Sequence, residues 1–354
     1  VHRFLGVNMR KNVIICLFSI TFIWLLIVSS MVSNNTNNND GTNIEEVRVT
    51  GFSTDFSEVI KNTKSSMVAI EQNGKVSSGF IYKKKDDLVY VATSFHGVSE
   101  GDNVNITFNN GVKVNGKLYG SDLFADVALI ECEFPFDVQE LKFGDSTLLK
   151  DGEFVLSIGT NNSMDYAFSN KFGMVSKNYQ EIKNQISFNE ENYEYYLGLI
   201  QLSGDFTNGY SGAPVLNMNG ELVGSILMQD NDITFALTGD ELKVVLDRLY
   251  NGITYTRINF GFKGKYIKDL ENYETNSLNI NVDLSVGYYV SEVSPFSFAS
   301  KMGIVKGDVI TKINDVKLVD SDSLLNLMYS DELSFTFEII RNGEKIKLQG
   351  VIDA

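Results

Sequence analysis

The sequence predicts a mainly β chain: a large β domain, then a small α+β domain, with an N-terminal transmembrane helix ahead of both. Three observations carry this. Strand-like runs bounded by turn residues recur from Met67 to Leu237, at the spacing of ~8–12 residues typical of a β-barrel or sandwich. A helical pattern at 238–250 closes that series, and fragments alternating strand with short helix follow from Arg257. Val13 to Val32 carries no charge at all. The 354-residue length fits two domains plus extras, on a prior of ~150 residues per domain. A hydrophobic content of 43% is ample for a core.

Residues 1–12 read as a cytoplasmic stub, with Arg3, Arg10 and Lys11 before the apolar segment and Asp40, Glu45 and Glu46 after it. That asymmetry keeps the N-terminus in the cytoplasm and sends the remainder outside. The anchor at 13–32 matches the about 20 residues that span a ~30 Å hydrocarbon core. A cleaved signal peptide, with Ser29 and Ser30 near the cut, is the competing reading, but the run exceeds the usual ~7–15 apolar residues of such a segment. Met9-Arg10-Lys11 also fits a true start. Residues 33–50, with the asparagine-rich stretch Asn34 to Asn43, have nothing apolar to bury and read as a disordered tether.

The large domain spans 51–252. A helix-like Phe56 to Lys61 precedes strand patterns at Met67–Ile70, Gly79–Tyr82, Leu88–Ala92, Val104–Phe108, Val112–Leu118 and Val127–Glu131. A second series runs Glu153–Ile158, Phe172–Lys177, Leu197–Leu202, Pro214–Asn217, Leu222–Leu227 and Thr234–Leu237. Leu242, Val245, Leu246 and Leu249 give the closing helix its apolar face. The stretch between Asn161 and Glu194 is long, polar and poorly patterned, so regulatory loops are expected there. The small domain occupies 257–354. A net charge of −15 argues against nucleic acid or anionic lipid as main partners. The two cysteines, Cys16 and Cys132, form no disulfide framework.

The chemistry is concentrated in Asn208-Gly209-Tyr210-Ser211-Gly212-Ala213-Pro214. Glycines around a serine permit positive φ, so a tight turn can hold the hydroxyl outward and aim the Gly209 and Ser211 amides at one point. An oxyanion hole needs that arrangement. An ordinary glycine-rich hairpin turn is the bland alternative. Histidine arithmetic decides between them: of two histidines, His2 precedes the membrane segment, leaving His96 at a strand end. Asp126 then opens the apolar run Val127 to Ile130. Histidine, aspartate, serine is the chain order of the chymotrypsin-type triad.

These pieces resemble the HtrA (Deg) group of trypsin-like serine proteases carrying PDZ domains. The matching stretches are Thr93-Ser94-Phe95-His96-Gly97-Val98, Gly120 through Ile130, and Gly209-Tyr210-Ser211-Gly212-Ala213-Pro214. Gly287 to Pro295, Ala299 to Ile304 and Gly307 to Asn314 resemble the family's PDZ domain. Tyr210 replaces an asparagine usual before the nucleophile, and Gly97 is inserted after the histidine.

The resemblance implies a chymotrypsin-like double β-barrel protease domain followed by one PDZ domain, with His96, Asp126 and Ser211 catalytic and no metal or cofactor. It implies a homotrimer acting on unfolded or regulatory proteins in quality control or envelope stress signalling. C-terminal peptides would bind at Asn259-Phe260-Gly261-Phe262, with Phe260 and Phe262 lining a hydrophobic pocket and Asn259 standing where the family has tyrosine. Asp205, six residues before the nucleophile, falls at the floor of the substrate pocket in such folds. Buried there it would favour Lys or Arg; facing solvent it would have no such role. A peptide-binding sensor or chaperone with a vestigial protease site is the alternative function. A structural adaptor is a third, which explains neither His96 nor Ser211.

Overall fold

The computed structural model describes residues 55–98, 103–188, 191–230, 233–253, 257–270, 274–275 and 286–352. The expected stub, anchor and tether lie outside these residues. Among the described residues no helix is long and apolar enough to cross a membrane.

After a short helix α1 (Ser57–Thr63), six strands close into a barrel. They are β1 (Met67–Gln72), β2 (Lys75–Lys85), β3 (Leu88–Ser94), β4 (Val104–Phe108), β5 (Lys113–Asp122) and β6 (Val127–Glu133), in the order β1-β2-β3-β6-β5-β4. Val68, Ile70, Ile81, Val91, Ile106 and Ile130 fill its interior. β-Branched residues suit strands because their stiff side chains pack on a pleated surface.

A second barrel follows, ordered β10-β11-β12-β9-β8-β7. Its strands are β7 (Phe154–Gly159), β8 (Ser169–Phe188), β9 (Glu191–Ser203), β10 (Pro214–Leu216), β11 (Leu222–Asp230) and β12 (Ile233–Thr238). Met67, Phe80, Leu129, Leu156 and Leu199 belong to one core cluster that joins the barrels, and α2 (Gly239–Tyr250) adds Leu242, Val245, Leu246 and Leu249 to it. Each such fully buried side chain stabilises the fold by ~1.5–3 kcal/mol. Thr238 caps α2 by accepting the Glu241 amide. All the strand patterns read from the sequence fall within or across these strands.

The stretch expected to be loops is mostly strand. β7 pairs with β8 only over Ser169 to Met174, and β8 then runs on with β9 to the pair Phe188 and Glu191. A two-stranded ribbon that leaves its barrel has no interior to fill, so it needs no strict apolar alternation and its sequence looks unpatterned. The ribbon lands on the small domain. Glu181 accepts the Tyr288 hydroxyl at 2.6 Å and the Gly264 amide at 2.9 Å, and the Tyr196 hydroxyl reaches Glu292 at 3.1 Å.

The small domain carries a sheet ordered β13-β14-β15-β17-β18, with β16 (Val316–Lys317) on β15. Its strands are β13 (Phe262–Tyr266), β14 (Tyr288–Val293), β15 (Val309–Ile313), β17 (Ser334–Arg341) and β18 (Glu344–Val351). Helices α3 (Phe298–Met302) and α4 (Ser321–Met328) complete it. Asp320 and Ser323 form a reciprocal capping box at the start of α4. Phe260, Phe335 and Phe337 sit in its core.

The two domains share a buried ion pair: Arg257 Nε donates to Glu241 at 3.0 Å, and the Tyr329 hydroxyl donates to the same carboxylate at 2.9 Å. Both charged side chains are almost fully buried, at 3% and 1% exposure. Arg257→Met strands the Glu241 carboxylate and should cost about 3–5 kcal/mol in urea denaturation. Adding Glu241→Met should recover more than half of that loss, because a hydrophobic pair replaces a pair that burial had already penalised.

Candidate active site

His96 lies in the single 3₁₀ turn Phe95–Gly97 that ends β3, and Asp126 immediately precedes β6, the neighbouring strand. Asp126 has φ +53°, a left-handed conformation that aspartate tolerates better than most residues. There its carbonyl accepts the Phe95 amide at 3.0 Å and Oδ1 accepts the His96 amide at 2.7 Å. Oδ2 lies 2.5 Å from His96 Nδ1. The Asp122 carboxylate accepts the Phe124 and Ala125 amides at 2.9 and 2.8 Å, shaping the turn that aims Asp126.

With its proton on Nδ1, the imidazole presents the bare Nε2 as a base. The ring is about half exposed, at 53%. The hydrogen bond to Asp126 raises its pKa above the ordinary 6.5, outweighing the lowering effect of burial.

Ser211 comes from the second barrel, and two glycines allow it to meet the first. Gly212 has φ +80°, and a Cβ there would lie 2.4 Å from the Ser78 carbonyl and 2.6 Å from the Ser94 nitrogen, two residues before His96. Gly209 has φ +95°, and a Cβ there would lie 2.5 Å from the Thr160 carbonyl. The Asn208 carbonyl accepts the Asn162 amide at 3.0 Å. In a trans peptide the Gly209 N–H therefore points the opposite way. Among the described residues neither that N–H nor the Ser211 N–H is spent on a backbone carbonyl. Two free donors flank the serine.

Ser78 was not singled out from the sequence, yet it ties the barrels together at this point. Its amide donates to the Ser211 carbonyl at 2.9 Å and its hydroxyl to the Gly209 carbonyl at 2.6 Å. The same hydroxyl accepts the Thr160 amide at 2.7 Å, and Thr93 Oγ1 donates to the Ser78 carbonyl at 2.7 Å. The available signal was a buried Ser77-Ser78-Gly79 run interrupting an apolar strand. Among the described residues no hydrogen bond joins the Ser211 hydroxyl to His96, a looseness common in substrate-free sites.

The other predicted positions divide. Asp205 is not a buried pocket floor: its side chain is 84% exposed and its carboxylate pairs with Lys171 at 3.3 Å. A carboxylate left in water keeps its hydration and exerts little pull on a substrate cation. Tyr210 is fully buried against Phe206 and donates its hydroxyl to the Ser169 carbonyl at 2.8 Å. Phe260 and Phe262 are buried, with rings stacked 5.7 Å apart, and they border a cavity of about 30 Å³ with Leu324 and Met328. Asn259 Oδ1 accepts the Gly261 amide at 3.1 Å, so the tyrosine replacement occupies one of the amides expected to take a carboxylate.

The trypsin-like peptidase domain matches residues 77–224 and the PDZ domain matches 254–324. Over 97% of its length the chain is 26% identical to a serine protease HtrA-like of Staphylococcus epidermidis. The chain carries a trypsin-like peptidase domain followed by one PDZ domain and is similar to HtrA-like serine proteases. It spans 65% of the length of that relative. A serine protease Do-like HtrA of Lactobacillus helveticus is 29% identical over 79% of the chain and 71% of its own length. The fold is shared with the HtrA-type protease AlgW in its tripeptide complex, at TM-score 0.57 and 20% identity, over 84% of this chain and 96% of that one.

The raised imidazole pKa has a sign that can be checked. The charged form is favoured by folding, so its stabilisation is full below the ordinary pKa of ~6.5 and is lost as pH rises through the folded value. An NMR titration of the imidazole protons should place the midpoint of His96 above 6.5. Asp126→Asn removes the raising partner and leaves burial, so the midpoint should fall below that of the wild type.

Proposed function

We propose that this chain is a membrane-tethered serine endopeptidase acting on unfolded or regulatory proteins outside the cytoplasmic membrane. The observation that carries the reading is the joining of the His96–Asp126 pair to the Ser211 turn through Ser78 and Gly212. In the reaction, His96 Nε2 takes the Ser211 proton as Oγ attacks the substrate carbonyl. Asp126 holds the tautomer and stabilises the imidazolium. The Gly209 and Ser211 amides hold the tetrahedral oxyanion, each worth ~3 kcal/mol in comparable sites. The imidazolium then gives its proton to the leaving amine, and water, activated by the same base, releases the acyl group.

In this proposal the PDZ domain gates the reaction. A C-terminal peptide added as a strand to β13 needs the amides of that strand's edge. The Gly264 amide is held by Glu181 of the β8–β9 ribbon. Peptide binding and ribbon docking therefore compete, and β8, whose far part forms the ribbon, begins directly after the turn that ends at Phe168.

The reading includes a homotrimer anchored through residues 13–32, with the N-terminus in the cytoplasm, in envelope stress response or quality control. An exposed apolar face on β7 and β8 supports assembly: Phe154, Phe172 and Met174 are 38%, 66% and 37% exposed, and Phe56 stacks on Phe172 at 6.5 Å. The second reading is a peptide sensor with a vestigial protease site.

Casein turnover separates the two readings. The wild-type chain should cleave it, and Ser211→Ala should lose at least ~10³-fold in kcat. Equal turnover would leave only the sensor. Peptides ending in a hydrophobic residue should accelerate the wild type and bind about tenfold more tightly to Glu181→Ala.

A further inference from the structure

Lys171 lies on β8, beside the segment that leads to Ser211. Its ammonium contacts the backbone carbonyl of Asp205 and lies 3.3 Å from Asp205 Oδ2. The same ammonium sits 5.3 Å from the centre of the Tyr210 ring. The lysine side chain is only 19% exposed, in a residue type rarely buried without partners.

The two residues it touches bracket one segment. Asp205 opens the excursion from β9 towards the nucleophile, and Tyr210 is bonded directly to Ser211. Within the segment the Tyr210 amide donates to the Thr207 carbonyl at 3.1 Å, and the Ala213 amide donates to the Tyr210 carbonyl at 2.8 Å. The segment is also tied by Asn161 and Asn162 to Thr207 and Asn208, by Ser78 to the Gly209 carbonyl and by the Tyr210 hydroxyl to Ser169. A cation is suited to this place because it satisfies a carbonyl and the negative face of an aromatic ring together. Tyr210 stays neutral there, since burial raises its pKa far above the phenol's ordinary value.

We propose that Lys171 is a positioning residue for peptide hydrolysis: its ammonium clamps residues 205–210 so that the Gly209 and Ser211 amides keep one orientation. The proposal rests on the endopeptidase reading. Lys171 touches neither Ser211 nor His96, so it acts through the backbone of the segment alone. It supplies from within the chain a charge that holds the turn, shared between Asp205 and the Tyr210 ring.

Two measurements on the full chain test this, with Lys171→Met removing the charge and Lys171→Arg retaining it. In hydrogen exchange followed by mass spectrometry, Lys171→Met should speed exchange in residues 204–212 about tenfold while β10 to β12 exchange as in the wild type. Casein kinetics should show kcat reduced about tenfold with KM within about twofold, and Lys171→Arg should restore both readouts. Unchanged exchange in 204–212 overturns the proposal. So does faster exchange spread evenly over both barrels, which marks a general stabilising role. If the wild type fails to cleave casein, the endopeptidase reading falls, while the exchange arm still decides whether Lys171 orders the turn.

Discussion

The site depends on the seam where Ser78 of one barrel meets Gly209 and Ser211 of the other. One residue there satisfies two carbonyls and one amide across the boundary, through bonds of 2.9, 2.6 and 2.7 Å. Hydrogen bonds of this kind contribute only ~0.5–1.5 kcal/mol each, but leaving their buried partners unmet costs ~1–3 kcal/mol apiece. The larger consequence is geometric. Asp126 and His96 belong entirely to the first barrel, whereas the serine and both free amides belong to the second. Without the seam, His96 and Ser211 would be placed relative to each other only through the core that the two barrels share.

Glycine makes the seam possible. At Gly212 any side chain would push the nucleophile turn away from the Ser78 carbonyl and the end of β3. Charge works on the same segment through Lys171, whose ammonium contacts the Asp205 carbonyl and the buried Tyr210 ring. The turn is thus held by neutral hydrogen bonds at the seam and by a cation on the segment that leads to it.

Much of this was legible in the sequence. A single imidazole outside the N-terminal stub leaves no choice of base, so histidine count and chain order identify His96, Asp126 and Ser211 as candidates. The strand series was legible because barrel interiors impose alternation and turns punctuate it. What escaped lies where those constraints lapse. The β8–β9 ribbon has no barrel interior to fill, and its contacts with Tyr288 and Gly264 depend on long-range placement that periodicity cannot encode. Ser78 and Lys171 escaped for a related reason: a buried polar residue declares its purpose through distant partners, Thr160 and Gly209 at 82 and 131 positions from Ser78, and Asp205 at 34 from Lys171. For Asp205 the sequence left a buried and a solvent-facing orientation open, because position relative to Ser211 fixes the backbone location but not the direction of a side chain, and the structure has the exposed one, paired with Lys171.

The family relationship, the glycine-shaped turn and the paired His96 and Asp126 all converge on one claim, that Ser211 is an activated nucleophile. Reaction of the full chain with a fluorophosphonate, mapped by peptide mass spectrometry, tests it directly. A single stoichiometric adduct is expected on Ser211, formed faster as pH rises through the His96 pKa and absent in His96→Ala. An unmodified Ser211, or an adduct that forms equally well without the imidazole, would contradict it.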